Sequence, residues 1–268
     1  MSNNPQISSL GETKLIILIE DLVLKKTGKA LLRDDSFFFN LKDKDLTGDL
    51  VLNSDMLVSS TDVPPQMSNY QIGKKSVVMN VSDLLVKGVK PKGIVISLGL
   101  PRDFEKDNFI QVIEGIIDCS ISYDLEYIGG DINETKELII NPTVFGFKNP
   151  SDIIHRKGMK VGDVLFINKK FGLTGVGFDI LLNQKWKIES VQKYKRSITS
   201  VLEPDVSDKE ALLLAELKLA TSSIDSSDGF SKTLLDLQYS NPNLGFEIDF
   251  GDNLIDLEAK KYSQEFSV

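Results

Sequence analysis

Residues 70–100 read YQIGKKSVVMNVSDLLVKGVKPKGIVISLGL, and the fold reading starts there. The spacing from Tyr70 to Val89 predicts a helix that closes near Gly88 and Pro91. Within it Asn80 and Asp83 are three apart and share a face. Lys92 to Leu100 then predicts a strand with the continuous apolar run Ile94, Val95, Ile96. Downstream, Phe104 to Ser122 reads as a helix and Leu125 to Ile128 as a short strand entering a turn at Gly129-Gly130. Leu138 to Phe147 is a further strand. Upstream, Ser9 followed by Glu12 is a capping-box pattern ahead of an amphipathic run from Leu10 to Lys26, with Gly28 as its stop. β-rich stretches follow at Ser36 to Leu41 and Asp49 to Asn53.

The polar run Lys148-Asn149-Pro150-Ser151-Asp152 is the best domain boundary, dividing the chain into residues 1–148 and 149–268. Beyond it comes a basic patch, Arg156 to Lys160, and a strand expected at Val164 to Asn168. A glycine-rich turn (Gly172, Gly175, Gly177) opens a helix through Leu182. Helices fit Val191 to Leu202, Asp208 to Ala220 and Asp228 to Tyr239, and a strand fits Gly245 to Phe250. Strands and helices mixed without strict alternation predict an α+β fold.

Composition narrows the chemistry. The chain has 268 residues, 41% of them hydrophobic and 26% charged, which is ordinary for a globular protein of one or two domains. The formal net charge of -8 argues against nucleic acid as the partner, since phosphate backbones are bound through dense Lys/Arg surfaces. One His and one Cys exclude a His or Cys metal cluster, and any triad not built on His155. Cys119 alone forms no internal disulfide and fits a reducing cytosol. No signal-peptide pattern is expected at the N-terminus, and the apolar run Leu15 to Ile19 is too short to span a bilayer. The expected setting is therefore cytoplasmic, away from membranes.

Five acidic clusters hold most of the functional information: Arg33-Asp34-Asp35, Asn53-Ser54-Asp55, Asn80-Val81-Ser82-Asp83, Gly129-Gly130-Asp131 and Ile224-Asp225-Ser226-Ser227-Asp228-Gly229. Oxygen-only donors of this kind suit hard cations such as Mg²⁺. Each cluster alone reads as a solvated loop or a helix cap. Gly129-Gly130-Asp131 says more, because two glycines let backbone amides approach a phosphate. Asp225 and Asp228, three apart at a helix start, can share one or two cations. The Gly172–Gly177 turn lacks the Gly-Lys-Ser/Thr ending of a P-loop and reads as strand–helix packing. His155, in a polar segment beside Arg156 and Lys157, reads as surface.

In this order and spacing the clusters resemble thiamine-monophosphate kinase, a member of the ATP-binding superfamily that includes aminoimidazole ribonucleotide synthetase. The resemblance runs from about Asp34 to Gly229. It is most specific at Asn80-Val81-Ser82-Asp83-Leu84 with Gly88 and Pro91, and at Gly129-Gly130-Asp131. Arg156-Lys157-Gly158 with Gly162-Asp163, and Ile224 to Gly229, also match. The resemblance implies an N-terminal mixed-sheet domain that pairs into a homodimer, and a C-terminal α/β sandwich domain. It implies ATP as co-substrate and thiamine monophosphate as acceptor, with direct in-line transfer that needs no catalytic side chain. The implied Mg²⁺ ligands are Asp35, Ser54, Asp55, Asp83, Asp131, Asp225 and Asp228, and the implied nucleotide contacts are Gly130, Asp131, Arg156 and Ser227. Arg33 stands where the family usually has Gly, and Asp62 stands at a substrate-side position where it commonly has His. The family's Gly-Gly-Glu-Asp-Tyr-Glu segment does not occur in residues 1–268. Two alternatives stay open: a ring-forming ligase of the aminoimidazole ribonucleotide synthetase type, and a non-catalytic nucleotide-binding homologue.

Overall fold

The computed structural model describes residues 5–31, 48–249, 251 and 253–267. Its chain divides into two compact units. The first comprises residues 1–63, 67–85 and 89–151, and the second residues 64–66, 86–88 and 152–268. The first cluster, with Asp34 and Asp35, and the strand expected at Ser36 to Leu41 lie outside the described residues.

The first unit is a layer of helices on a mixed sheet. Its elements are α1 (Glu12–Thr27), β1 (Asp49–Asn53), β2 (Leu57–Val58), the single-turn α2 (Ser59–Asp62), α3 (Asn69–Leu85), β3 (Pro91–Leu100), α4 (Lys106–Ser122), β4 (Glu126–Glu134) and β5 (Ile139–Lys148). The strand order is β1-β5-β3-β4, with β2 also on β5. Among the described strands only β3 and β4 run parallel; the other pairings are antiparallel.

Core burial explains the layering. Ile94, Ile96, Leu98 and Leu100 alternate along β3 and are almost fully buried, as are Ile140 and Val144 of β5. Val77, Val81 and Leu84 of α3, and Phe109, Val112, Ile113, Ile116 and Ile117 of α4, are buried with them. Each such side chain contributes about 1.5 to 3 kcal/mol when removed from water. α3 and α4 pack closely at glycines: a Cβ on Gly73 would lie 2.1 Å from Val112 O, and one on Gly115 2.1 Å from Tyr70 O. The intervening positions of the sheet stay open, with Ser97 and Asp131 exposed and Asn141 and Thr143 half-buried.

β4 departs from the sequence expectation. Gly129 and Gly130 do not form a turn; they lie inside a nine-residue strand. Tyr127 pairs with Ile94 and Gly129 with Val95, so Ile128 is an extra residue, a β-bulge. Gly129 takes φ 145°, a backbone conformation that side chains disfavour. The capping box is also corrected. Ser9 sits in a short 3₁₀ turn and bonds Gln6 O at 2.7 Å, while Gly11 is the N-cap of α1 with no side-chain cap. Gly28 ends α1 in the left-handed conformation as expected.

The second unit is helical among the described residues: α5 (Leu173–Leu182), α6 (Lys195–Leu202), α7 (Asp208–Glu216), α8 (Phe230–Ser240) and α9 (Leu257–Phe266). The strands expected at Val164 to Asn168 and Gly245 to Phe250 are not formed among the described residues, and neither is the sheet that an α/β sandwich needs. One isolated parallel bridge, Phe171 with Ile255, is present. Strands exist only as pairs, and no ladder pairs with these two among the described residues. Val161 and Val164 consequently stay at least 90% exposed. Of the buried apolar side chains among the described residues, 30 of 39 belong to the first unit, so the second has a thin core there. That core centres on Ile180, Val191, Tyr194 and Tyr262.

Candidate functional site

In the first unit, sequence clusters two and three are brought into contact. β1 delivers Asn53, Ser54 and Asp55 at its C-terminal end, and α3 presents Asn80 and Asp83 one helical turn apart. Asn53 Nδ2 donates to Asp83 Oδ2 at 2.9 Å and lies 3.2 Å from Asp55 Oδ2. Asn80 Oδ1 accepts from Asp55 N at 2.7 Å, and Asn80 Nδ2 donates to Asp55 O at 3.0 Å. Two carboxylates thus converge on one amide.

Ser54 turns to the open side of the sheet. Its hydroxyl donates to Pro142 O at 3.0 Å and Asn141 Oδ1 at 3.3 Å, and accepts from Thr143 Oγ1 at 3.0 Å. Asn141 pairs with Ser97, and Ser97 with Asp131. A polar row therefore crosses three strands, roughly 10 Å at normal strand spacing. The bulge decides this placement. Without the bulge, with Ile128 paired regularly to Val95, Asp131 would pair with Leu98, which is 3% exposed, and would point into the core. Gly130 follows the bulge so tightly that a Cβ would lie 1.8 Å from Ile96 O.

Asp62 caps its own turn, because Asp62 Oδ2 accepts from Val58 N at 2.7 Å. Its carbonyl accepts from Lys75 Nζ. Burial pushes the Lys75 ammonium below its ordinary pKa, against the opposing pull of the Asp62 charge.

In the second unit Arg156, Asp225, Ser227 and Asp228 line one small pocket of about 90 Å³, together with Lys232, Thr233 and Asp236. Backbone pairing explains the meeting of residues nearly seventy apart. Ser223 N donates to His155 O at 3.0 Å, and Ser222 Oγ to Arg156 O at 2.6 Å. Asn241, buried at the end of α8, clamps the other side. Its Nδ2 donates to Arg156 O at 2.8 Å, and its Oδ1 accepts from Gly158 N at 3.0 Å and Met159 N at 3.2 Å. Gly229 is the N-cap of α8, so the helix start with its partial positive charge adjoins Asp228 and Ser227. Thr233 ties that start by donating to Ser226 Oγ at 2.8 Å.

Sequence reasoning missed Asn241, Lys232 and Thr233. Lys232 and Thr233 follow Gly229 within one helical turn, a spacing that could have flagged them. Asn241 carries no such signal. A larger cavity of about 290 Å³, between α1 and β4, contains none of the expected site residues. Volume does not mark the chemistry here.

Among the described residues no group of three or more His, Cys, Asp or Glu gathers. Asp55 and Asp83 form a two-carboxylate oxygen site. That fits Mg²⁺, which is commonly held by one or two carboxylates with substrate phosphates and water completing its shell.

The fold and these motifs define the class. Residues 33–147 match the family described as AIR synthase related protein, N-terminal domain. Over 229 residues the chain is 33% identical to thiamine-monophosphate kinase of Nitrosopumilus maritimus, covering 85% of this chain and 68% of that relative. The chain belongs to the thiamine-monophosphate kinase family, a family of phosphotransferases. It spans 59 to 68% of the length of the first curated relatives it matches. Its fold is that of the thiamine monophosphate kinase from Aquifex aeolicus, with a TM-score of 0.72 at 24% identity, covering 96% of this chain and 82% of that one. A structure described as AaThiL complexed with AMPPCP and TMP gives a TM-score of 0.70 at 24% identity, covering 99% and 81%. No helix among the described residues is long and apolar enough to cross a membrane.

Proposed function

We propose that this chain transfers the γ-phosphoryl group of ATP to thiamine monophosphate, giving thiamine diphosphate and ADP, with Mg²⁺ required. The observation that carries the reading is the convergence of Asp55 and Asp83 from elements about thirty residues apart. Family membership supports the kinase chemistry, and the likeness to a structure complexed with AMPPCP and TMP supports the substrate pair.

The physical logic is charge management. Donor and acceptor are both phosphates and repel each other. Asp55 and Asp83, with Ser54, Asp131 and Asp35 as further oxygen donors, would hold Mg²⁺, which neutralises phosphate charge and aligns an in-line transfer. Asp225 and Asp228 are a second candidate oxygen pair. Gly130, with no side chain to intervene, lets β4 backbone approach a phosphate. Asp131, Arg156 and Ser227 serve the nucleotide in this reading. No general base is needed: the acceptor phosphate, with a second pKa of about 6, is largely dianionic at neutral pH. Asp62 remains the substrate-side position, with a carboxylate in place of the family's His. The first unit pairs into a homodimer through its open sheet face, where Leu50 and Leu52 are more than half exposed. The setting is cytoplasmic, with no nucleic acid or membrane partner.

An ADP-release assay tests the reading. With Mg·ATP, thiamine monophosphate should stimulate ADP release, and thiamine or aminoimidazole precursors should not. Release driven by an aminoimidazole precursor instead would move the chain to the ring-forming ligase class. No release with any acceptor would sink the enzymatic reading.

A further inference from the structure

The two asparagines of the first unit hold the two acidic residues crosswise. Asn80 stands one helical turn before Asp83, yet it serves the other carboxylate's residue. Its Oδ1 takes the Asp55 N–H at 2.7 Å, and its Nδ2 gives to Asp55 O at 3.0 Å and Ser76 O at 3.1 Å. Asn53 stands two residues before Asp55 and reaches back to the helix, donating to Asp83 Oδ2 at 2.9 Å. The same amide nitrogen lies 3.2 Å from Asp55 Oδ2 and 3.4 Å from Asn80 Oδ1.

The choice of amides follows from chemistry. Asn80 is fully buried, so its polar atoms must be bonded, and both are. Paired donation and acceptance with the Asp55 backbone fixes β1's end as a neighbouring strand would. A Ser at position 80 is too short to make both bonds, and Leu makes neither. Asn53 has only two amide hydrogens for three acceptors, so its contact to Asp83 is the full bond and the longer two share the remainder. An amide orients two carboxylates without cancelling their charge. A Lys there would neutralise the pair and occupy the cation's place.

We infer that Asn53 and Asn80 are positioning residues: a crossed amide clamp that sets the separation and direction of Asp55 and Asp83 so that both serve one divalent cation. The inference rests on the cation reading given above. It assigns the asparagines to cation affinity and not only to packing.

The test uses the full chain with Mn²⁺ alone as the probe, a cation that accepts the same oxygen donors. Bound Mn²⁺ is read by electron paramagnetic resonance, and the melting temperature is read with and without Mn²⁺. Asn53→Ala is expected to weaken Mn²⁺ binding about 10- to 100-fold, the usual effect of removing a group that orients a metal ligand. Its cation-free melting temperature should move little, because the amide is only half-buried. Asn53→Asp should lower the cation-free melting temperature through added like charge, and enlarge the stabilisation by Mn²⁺. Asn80→Ala should lose both cation-free stability and Mn²⁺ affinity. Asn53→Ala binding Mn²⁺ within twofold of wild type would overturn the clamp, and wild-type ADP release in the same preparation would leave the kinase reading standing. A wild-type protein that binds no Mn²⁺ would overturn the clamp and the cation reading together.

Discussion

Gly130→Ala probes the seat of β4 on β3. The added Cβ would lie 1.8 Å from Ile96 O and 2.8 Å from Ile96 C, where real Cβ atoms stay beyond 3.0 Å. Both obstacles are backbone, so no side-chain rotation relieves them. β4 must retreat from 1.8 Å to at least 3.0 Å, enough to break the ladder bonds flanking the site. Two such bonds, at about 1 kcal/mol each plus the cost of leaving their groups unsatisfied, come to about 2 to 4 kcal/mol. For a unit of this size each kcal/mol lowers the melting temperature by about 3 °C, so a fall of about 6 to 12 °C is expected by circular dichroism. Gly175→Ala is the control. Nothing lies within 4 Å of its Cβ, and it sits inside α5, where Ala is favoured by up to about 1 kcal/mol. Gly130→Ala melting within about 2 °C of wild type, on this scale, would refute the register of β4 and with it the outward placement of Asp131.

Three further outcomes are expected. Asp83→Asn and Asp131→Asn should each lower kcat by about 10²-fold or more in the ADP-release assay, the scale of losing a few kcal/mol of transition-state stabilisation; unchanged rates would remove them from the site. Nucleotide binding by titration calorimetry should need Mg²⁺, since the net charge of -8 disfavours bare ATP, and equal affinity in EDTA would contradict the cation bridge. Asp256 supplies a pH test. Burial pushes its carboxyl up, but the paired bonds from Arg196 at 2.7 and 3.1 Å, and the Glu258 N–H, outweigh burial and hold it below its usual value. A depressed folded-state pKa contributes stability above the unfolded value of about 3.9 and loses it as pH falls through the folded one. Asp256→Asn keeps the cap but not the charge, and Arg196 is mostly exposed, so the loss at pH 7 is about 0.5 to 1 kcal/mol. Urea melts should show that gap closing below about pH 4; a gap that widens there would reverse the assignment.

Sequence reading located what is local. The helical spacing of α3 and α4, the apolar run of β3 and the glycine stop of α1 each depend on residues within a few positions of one another. The oxygen-rich clusters were likewise legible, since residue type alone selects for hard cations. Other features lay beyond sequence because their partners are distant. Val164 to Asn168 has a strand's composition, but a strand forms only where another backbone pairs with it, and among the described residues none does.

Residue type and order alone therefore determined the α+β class, the acidic motifs and the family resemblance, because these rest on short-range periodicity and on the chemistry of single side chains. Tertiary structure decided which way those side chains face. The bulge at Ile128, which leaves that residue out of the pairing, turns Asp131 from the buried Leu98 row to the exposed Ser97 row. The Asn80–Asp55 and Asn53–Asp83 bonds join positions 25 and 30 residues apart. Side chains alternate along a strand, so facing is set by register, and register is fixed by the neighbouring strand's hydrogen bonds, which the strand's own sequence does not contain.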